Sequence, residues 1–112
     1  MVRLNSIDHD HVTVVGVRGE LIMDECERLR KHIIEQIELK IHDFVVDCHE
    51  LEHIDSKGLE TLIWIQEHCA DYLGQMRLAA CPEHMQKILD ITRLQSRFTC
   101  LDSVNEALES LR

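Results

Sequence analysis

The chain has 112 residues, of which 45% are apolar and 29% charged, with a formal net charge of -9. These values suit one globular domain spanning residues 1–112, and an acidic surface argues against direct nucleic-acid binding while favouring a partner with a basic face. No apolar run approaches the roughly 20 residues that cross a bilayer, and "MVRLNSIDHDHV" lacks the apolar core of a secretory signal, so no membrane insertion and a cytoplasmic location are expected.

Taken in order, "VRLNSI" and "HVTVVGVRG" read as two short strands joined by the polar "DHDH", the second rich in β-branched residues from Val12 to Val17. The stretch "ELIMDECERLRKHIIEQIELKIH" repeats Cys26, Leu29, Ile33, Ile37 and Ile41 at helical spacing, with Ile34 alongside, and Asp24 with Glu27 resembles a capping box. Glu20, Asp24 and Glu25 read as solvated helix-start charges. "DFVVDC" is a continuous apolar run, expected of a central strand covered on both faces.

"DSKGLETLIWIQEHCADYLG" follows as a second helix. Its inner face would carry Leu59, Leu62, Ile63, Cys69 or Ala70, and Leu73, with Gly74 as C-terminal cap. "QMRLAAC" is a further strand. Pro82 suits the first turn of a third helix through Leu94, with Met85, Ile88 and Leu89 inward. "RFTCL" is a short strand or extended link, and Ser103 with Glu106 forms a capping box ahead of a last helix bearing Val104, Ala107, Leu108 and Leu111. Strands alternating with helices predict an α/β fold, a mixed sheet of four to five strands with about four helices.

The segment "HIDSKGLETLIWI" raises the functional question. Asp55 and Ser56 follow a strand and precede a helix, at the sheet edge where α/β folds place their sites. A nucleophilic serine needs a base and an oxyanion site, and the local I-D-S-K-G is not a G-x-S-x-G elbow, so no catalytic residue is assigned. Either Asp55 or Ser56 can cap the helix. A hydroxyl there can also be phosphorylated, since helix N-termini accept anions.

Metal binding is not expected. The eight histidines include His9 and His11 around Asp10, and His49 and His53 near Cys48, while His84 lies near Cys81, yet none shows zinc spacing. Five scattered cysteines without CxxC read as reduced thiols rather than a disulfide framework. Nothing in the pattern calls for a cofactor. Trp64 and Ile65 widen the apolar arc of the second helix; at least one belongs in the core, and a partly exposed Trp64 beside Ser56 would suit a partner contact.

At "DFVVDCHELEHIDSKGLETLIWI" the chain resembles the STAS domains, and within them the single-domain bacterial anti-sigma factor antagonists. The strand ends at Asp47, and a short loop leads to Asp55, Ser56, Lys57, Gly58 and Leu59 in the family's Asp-Ser-x-Gly-Leu pattern. "VRGELIM", with Gly19, Glu20 and Leu21, together with "LGQMRLAACP", "ILDITRL" and "FTCLDSVNEAL", extends the likeness over nearly the whole chain. The resemblance implies a non-enzymatic switch. The unphosphorylated protein would bind an anti-sigma factor that is also a serine kinase, freeing the sigma factor. Phosphorylation at Ser56 would break that complex, and a serine phosphatase would reset it. The partner surface would include Asp55, Ser56, Lys57, Gly58, Leu59, Trp64, Asp47 and Glu20. Lys57 stands where the family often has a small residue, and Arg93 where it often has glycine. An alternative within the family is a regulatory subunit of a membrane lipid-transporter ATPase.

Overall fold

The computed structural model describes residues 2–9 and 11–111, apart from the side chain of His9. The elements are β1 (Arg3–His9), β2 (Val12–Leu21), α1 (Glu25–Glu38), β3 (Asp43–Asp47), β4 (Leu51–Ile54), α2 (Ser56–Asp71), β5 (Met76–Ala79), α3 (Glu83–Ile91), β6 (Cys100–Leu101) and α4 (Val104–Ser110). One sheet runs β1-β2-β3-β5-β6, with β1 antiparallel to β2 and the remaining pairings parallel. β4 lies off this path and pairs in parallel with the far end of β2, beyond the stretch that β3 occupies.

The sheet is covered on both faces, as the run "DFVVDC" predicts. Phe44 and Val46 face a cluster with Leu29, Ile33, Leu62, Ile65, Met85 and Leu89 from α1, α2 and α3. Val45 points the other way, to Val12, Ala79 and Ala107, with Val104 and Leu108 of α4 and the following Leu111 packed on them. Alternation of side chains along the strand makes this possible.

Several expectations are corrected. Among the described residues the sheet has six strands rather than four to five. The extra one is β4, within a stretch read as loop; Leu51 and Ile54 are buried while Glu52 and His53 are exposed, so it shows no period of two. β1 runs through Asp8 and His9, so the polar "DHDH" is partly strand; Asp10 lies outside the described residues. β2 continues through Glu20 and Leu21, so Glu20 is a strand residue and not a helix-start charge.

The capping box at Asp24 does not form. Asp24 is itself helical (φ -66°, ψ -19°), and the entering turn holds the Glu25, Cys26 and Glu27 amides on the carbonyls of Ile22, Met23 and Asp24. Pro82 is the N-cap of α3 rather than its first residue, and the helix ends at Ile91. The capping box of α4 does form in its first half: Ser103 Oγ accepts from the Glu106 amide at 3.1 Å.

The helix exits follow one pattern. Lys40, Leu73 and Arg93 adopt left-handed φ of 70°, 63° and 60° just past α1, α2 and α3. In each case two backbone bonds close the end, as in α2, where Leu73 donates to Ala70 (2.9 Å) and Gly74 to Cys69 (2.8 Å). This is the Schellman arrangement. It turns Leu73 outward, 95% exposed, rather than into the core, and it leaves Ile41 beyond α1. Gly74 is not the left-handed residue; it is required for space, because a Cβ there would sit 1.9 Å from the His42 carbonyl oxygen. Arg93 occupies the left-handed position at which the family resemblance places glycine.

Candidate functional site

The parallel strands deliver their carboxyl ends to one edge of the sheet. β2 ends at Leu21 and leads to Met23; β4 ends at Ile54 and leads to Asp55 and Ser56. Parallel pairing of Leu21 with Ile54 sets the two exits side by side, and the Asp55 amide reaches the Leu21 carbonyl at 3.4 Å.

The question of which residue caps α2 is resolved in favour of Asp55. Its backbone is extended, and Oδ1 accepts from the Gly58 amide at 2.9 Å. Its second oxygen, Oδ2, accepts from the Met23 amide at 3.1 Å. One carboxylate therefore ties the start of α2 to the β2–α1 turn. Met23 is held at φ 44° and 68% exposed. No sequence pattern singles out Met23; it becomes visible only when the second oxygen of Asp55 is followed to its partner.

With capping assigned to its neighbour, Ser56 is the first helical residue and is exposed. Its hydroxyl protrudes at the positive end of a 16-residue helix. Lys57, also exposed, pairs with Glu60 at 3.4 Å across one helical turn. Such a surface pair contributes little to stability and leaves the ammonium available to a stronger anion.

Gly58 and Leu59 are buried, so they shape the site from beneath rather than from the surface. A Cβ on Gly58 would lie 2.3 Å from the Leu21 carbonyl oxygen and 2.5 Å from Ile54 Cγ1. Glycine is required here by close approach, not by an unusual φ. One turn on, Thr61 is fully buried and donates to the Lys57 carbonyl at 2.8 Å.

The remaining predicted residues lie around this loop without joining it. Asp47, at the end of β3, accepts from the His49 amide (3.2 Å) and ring Nδ1 (3.0 Å), while His49 Nε2 meets Glu50 at 3.1 Å. Glu20 is half-buried on β2, opposite His53 of β4, and is engaged with its surroundings. Trp64 is not beside Ser56. Eight residues along the helix is about 12 Å of axial rise. There Trp64 is half-buried against α1, with the Arg30 guanidinium 5.2 Å from its ring centre and His68 stacked at 4.7 Å. Ile65 is the core member of that pair, with no exposure. Among the described residues, no group of three or more His, Cys, Asp or Glu gathers in a geometry that could hold a metal ion.

A sequence model of the STAS domain matches residues 3–107. The chain is 29% identical over 106 residues to the osmosensory protein A of Mycobacterium tuberculosis, covering 92% of this chain and 66% of that protein, so it spans just under two thirds of that relative's length. Among solved structures, an anti-sigma factor antagonist from Mycobacterium paratuberculosis superposes with a TM-score of 0.88 at 25% identity, covering 100% of this chain and 95% of the other. The Bacillus cell fate determinant SpoIIAA in its phosphorylated form superposes with a TM-score of 0.76 at 18% identity over all of both chains, a likeness of fold alone. With a match that runs from β1 into α4, the chain belongs to the STAS domain family.

Proposed function

We propose that this protein is an anti-sigma factor antagonist whose docking is switched at Ser56. In its unphosphorylated form it binds an anti-sigma factor serine kinase, and the sigma factor is released. Phosphorylation of Ser56 by that kinase, with ATP, dissociates the complex, and a serine phosphatase restores it. The protein acts as binder and substrate rather than enzyme, in the cytoplasm.

The observation that carries this reading is the division of labour at the head of α2. Asp55 caps the helix, so the exposed Ser56 hydroxyl is not needed for the fold. A phosphate placed there adds about -1.5 to -2 charges at a position where the helix terminus tolerates an anion. The fold survives and the docking face changes. Against a partner surface fitted to the neutral serine, burial of an uncompensated phosphate costs several kcal/mol. A hundredfold loss of affinity needs only about 2.7 kcal/mol. Exposed Met23, fixed to the same loop by Asp55, supplies an adaptable apolar contact beside the switch. The likeness to a mycobacterial anti-sigma factor antagonist supports the same reading.

The test is intact-mass measurement after incubation with the cognate kinase and ATP. One added phosphate on the chain, absent from Ser56→Ala, is the expected outcome. Modification at another residue, or capture of a transporter ATPase as the sole partner from cytosol, overturns the assignment.

A further inference from the structure

Three thiols collect around the neighbouring strands β3, β5 and β6. Cys48 follows β3, Cys81 lies two residues beyond β5, and Cys100 opens β6. The sulfurs of Cys81 and Cys100 are 4.0 Å apart. We propose that Cys81 and Cys100 form a modification site, which oxidants of the peroxide class close into an intrachain disulfide.

The approach of the two sulfurs is built by the backbone. Register pairs Leu78 with Cys100, so an uninterrupted β5 would carry Cys81 three residues, or about 10 Å, past its partner. The strand does not continue. Ala80 turns left-handed at φ 54°, a conformation that L side chains rarely adopt, and its amide is held by the Leu101 carbonyl at 2.9 Å. That turn folds Cys81 back onto β6. The Cys81 carbonyl accepts from Gln86 Nε2 at 2.9 Å, which fixes the other side of the residue. A disulfide has its sulfurs about 2.05 Å apart, so each sulfur must travel about 1 Å, a distance that χ1 rotation supplies.

The third thiol is differently placed. Cys48 is buried, and its thiol donates to the Val46 carbonyl at 3.6 Å. Cys100 is exposed and Cys81 is buried, with 9% exposure. Access, rather than thiolate character, sets the order of reaction, because a peroxide reaches the exposed Cys100 first. The Cys100 thiolate attacks one oxygen of the peroxide, the O–O bond breaks, and Cys100 becomes a sulfenic acid as hydroxide leaves. The Cys81 thiolate then attacks the Cys100 sulfur, the S–O bond breaks, and a second hydroxide leaves. Two thiols lose two electrons, the peroxide gains them, and the hydroxides take up the two released thiol protons as water.

The surroundings also set the speed. The hydrogen bond with Cys100 pulls Cys81 down, but the one with Cys48 and burial outweigh it and leave Cys81 at about 12. Sharing a proton with Cys81, and then burial, push Cys100 upward as well. Thiolate is scarce at neutral pH, so closure is slow and accelerates as pH rises.

The experiment treats the full chain with hydrogen peroxide at pH 7 and pH 9 and maps peptides without reduction. The expected product is a Cys81–Cys100 crosslinked peptide, formed faster at pH 9 and reversed by dithiothreitol. Cys100→Ser loses it, and Cys69→Ala, altered at a buried thiol outside the cluster, keeps it. A main product linking Cys48 to Cys81, an intermolecular Cys100 disulfide, or Cys100 oxidised without any crosslink overturns the proposal.

Discussion

Gly58→Ala sets two physical effects against each other within one methyl group. Helix propensity alone favours alanine over glycine by about 0.5–1 kcal/mol inside a helix. Sterics oppose it: the new Cβ would lie 2.3 Å from the Leu21 carbonyl oxygen and 2.5 Å from Ile54 Cγ1, against ordinary carbon contacts of about 3.5 Å. The side chain of Ile54 can shift, but the Leu21 carbonyl is backbone of β2, held at this end by its pairing with β4. The start of α2 must therefore withdraw by about 1 Å. Withdrawal stretches the Asp55–Leu21 backbone bond of 3.4 Å and disturbs the Asp55–Met23 link of 3.1 Å. Overpacking costs about 1–3 kcal/mol and a weakened cap about 1 kcal/mol more. After the propensity gain, a net loss of about 1–3 kcal/mol remains. Urea unfolding followed by far-UV circular dichroism should show a lower midpoint at unchanged m value, displaced by about 1 M. An unchanged or higher midpoint would refute the steric argument, because propensity would then be the larger effect.

Asp55→Ala removes both the helix cap and the tether to Met23. Stability should fall by about 1–2 kcal/mol in the same denaturant assay, and phosphorylation of Ser56 should slow because the loop is no longer held. Leu73→Gly should raise stability by up to about 1 kcal/mol, since Leu73 is 95% exposed at φ 63° and has strain to lose and little packing to give up. Burial first, and then Asp43, push the Cys69 thiol up to about 12 from 9.0. The folded state thus holds that proton more tightly, so its contribution is complete below about pH 9 and is lost as pH climbs toward 12. Thermal melts across this window should show a steeper alkaline decline for the native chain than for Cys69→Ala.

The parts of the fold that could be read in advance are those with a strong period. The run from Cys26 to Ile37 gives α1, and Leu59 and Leu62 give the buried face of α2, because burial of one stripe drives both. β4 was hidden for a physical reason: four residues with only Leu51 and Ile54 buried carry no alternation, because Glu52 is an extra residue between the pairs Leu51–Gly19 and His53–Glu20. The cap could be narrowed to Asp55 or Ser56 but no further, since both side chains can accept a backbone amide. Asp55 takes the role because its backbone is extended (φ -108°) while Ser56 is already helical. The place of Trp64 was misjudged by treating proximity in sequence as proximity on a surface; two turns of helix separate it from Ser56. Met23 could not be found from sequence at all, because its role rests on a contact between residues 23 and 55.

The claim at the centre is that the charge state of one exposed hydroxyl decides docking. Calorimetric titration of the cognate anti-sigma factor with the native chain and with its Ser56-phosphorylated form measures that directly. The account predicts at least about a hundredfold weaker binding after phosphorylation, about 2.7 kcal/mol, with the fold unchanged by circular dichroism. Equal affinity of the two forms would contradict it.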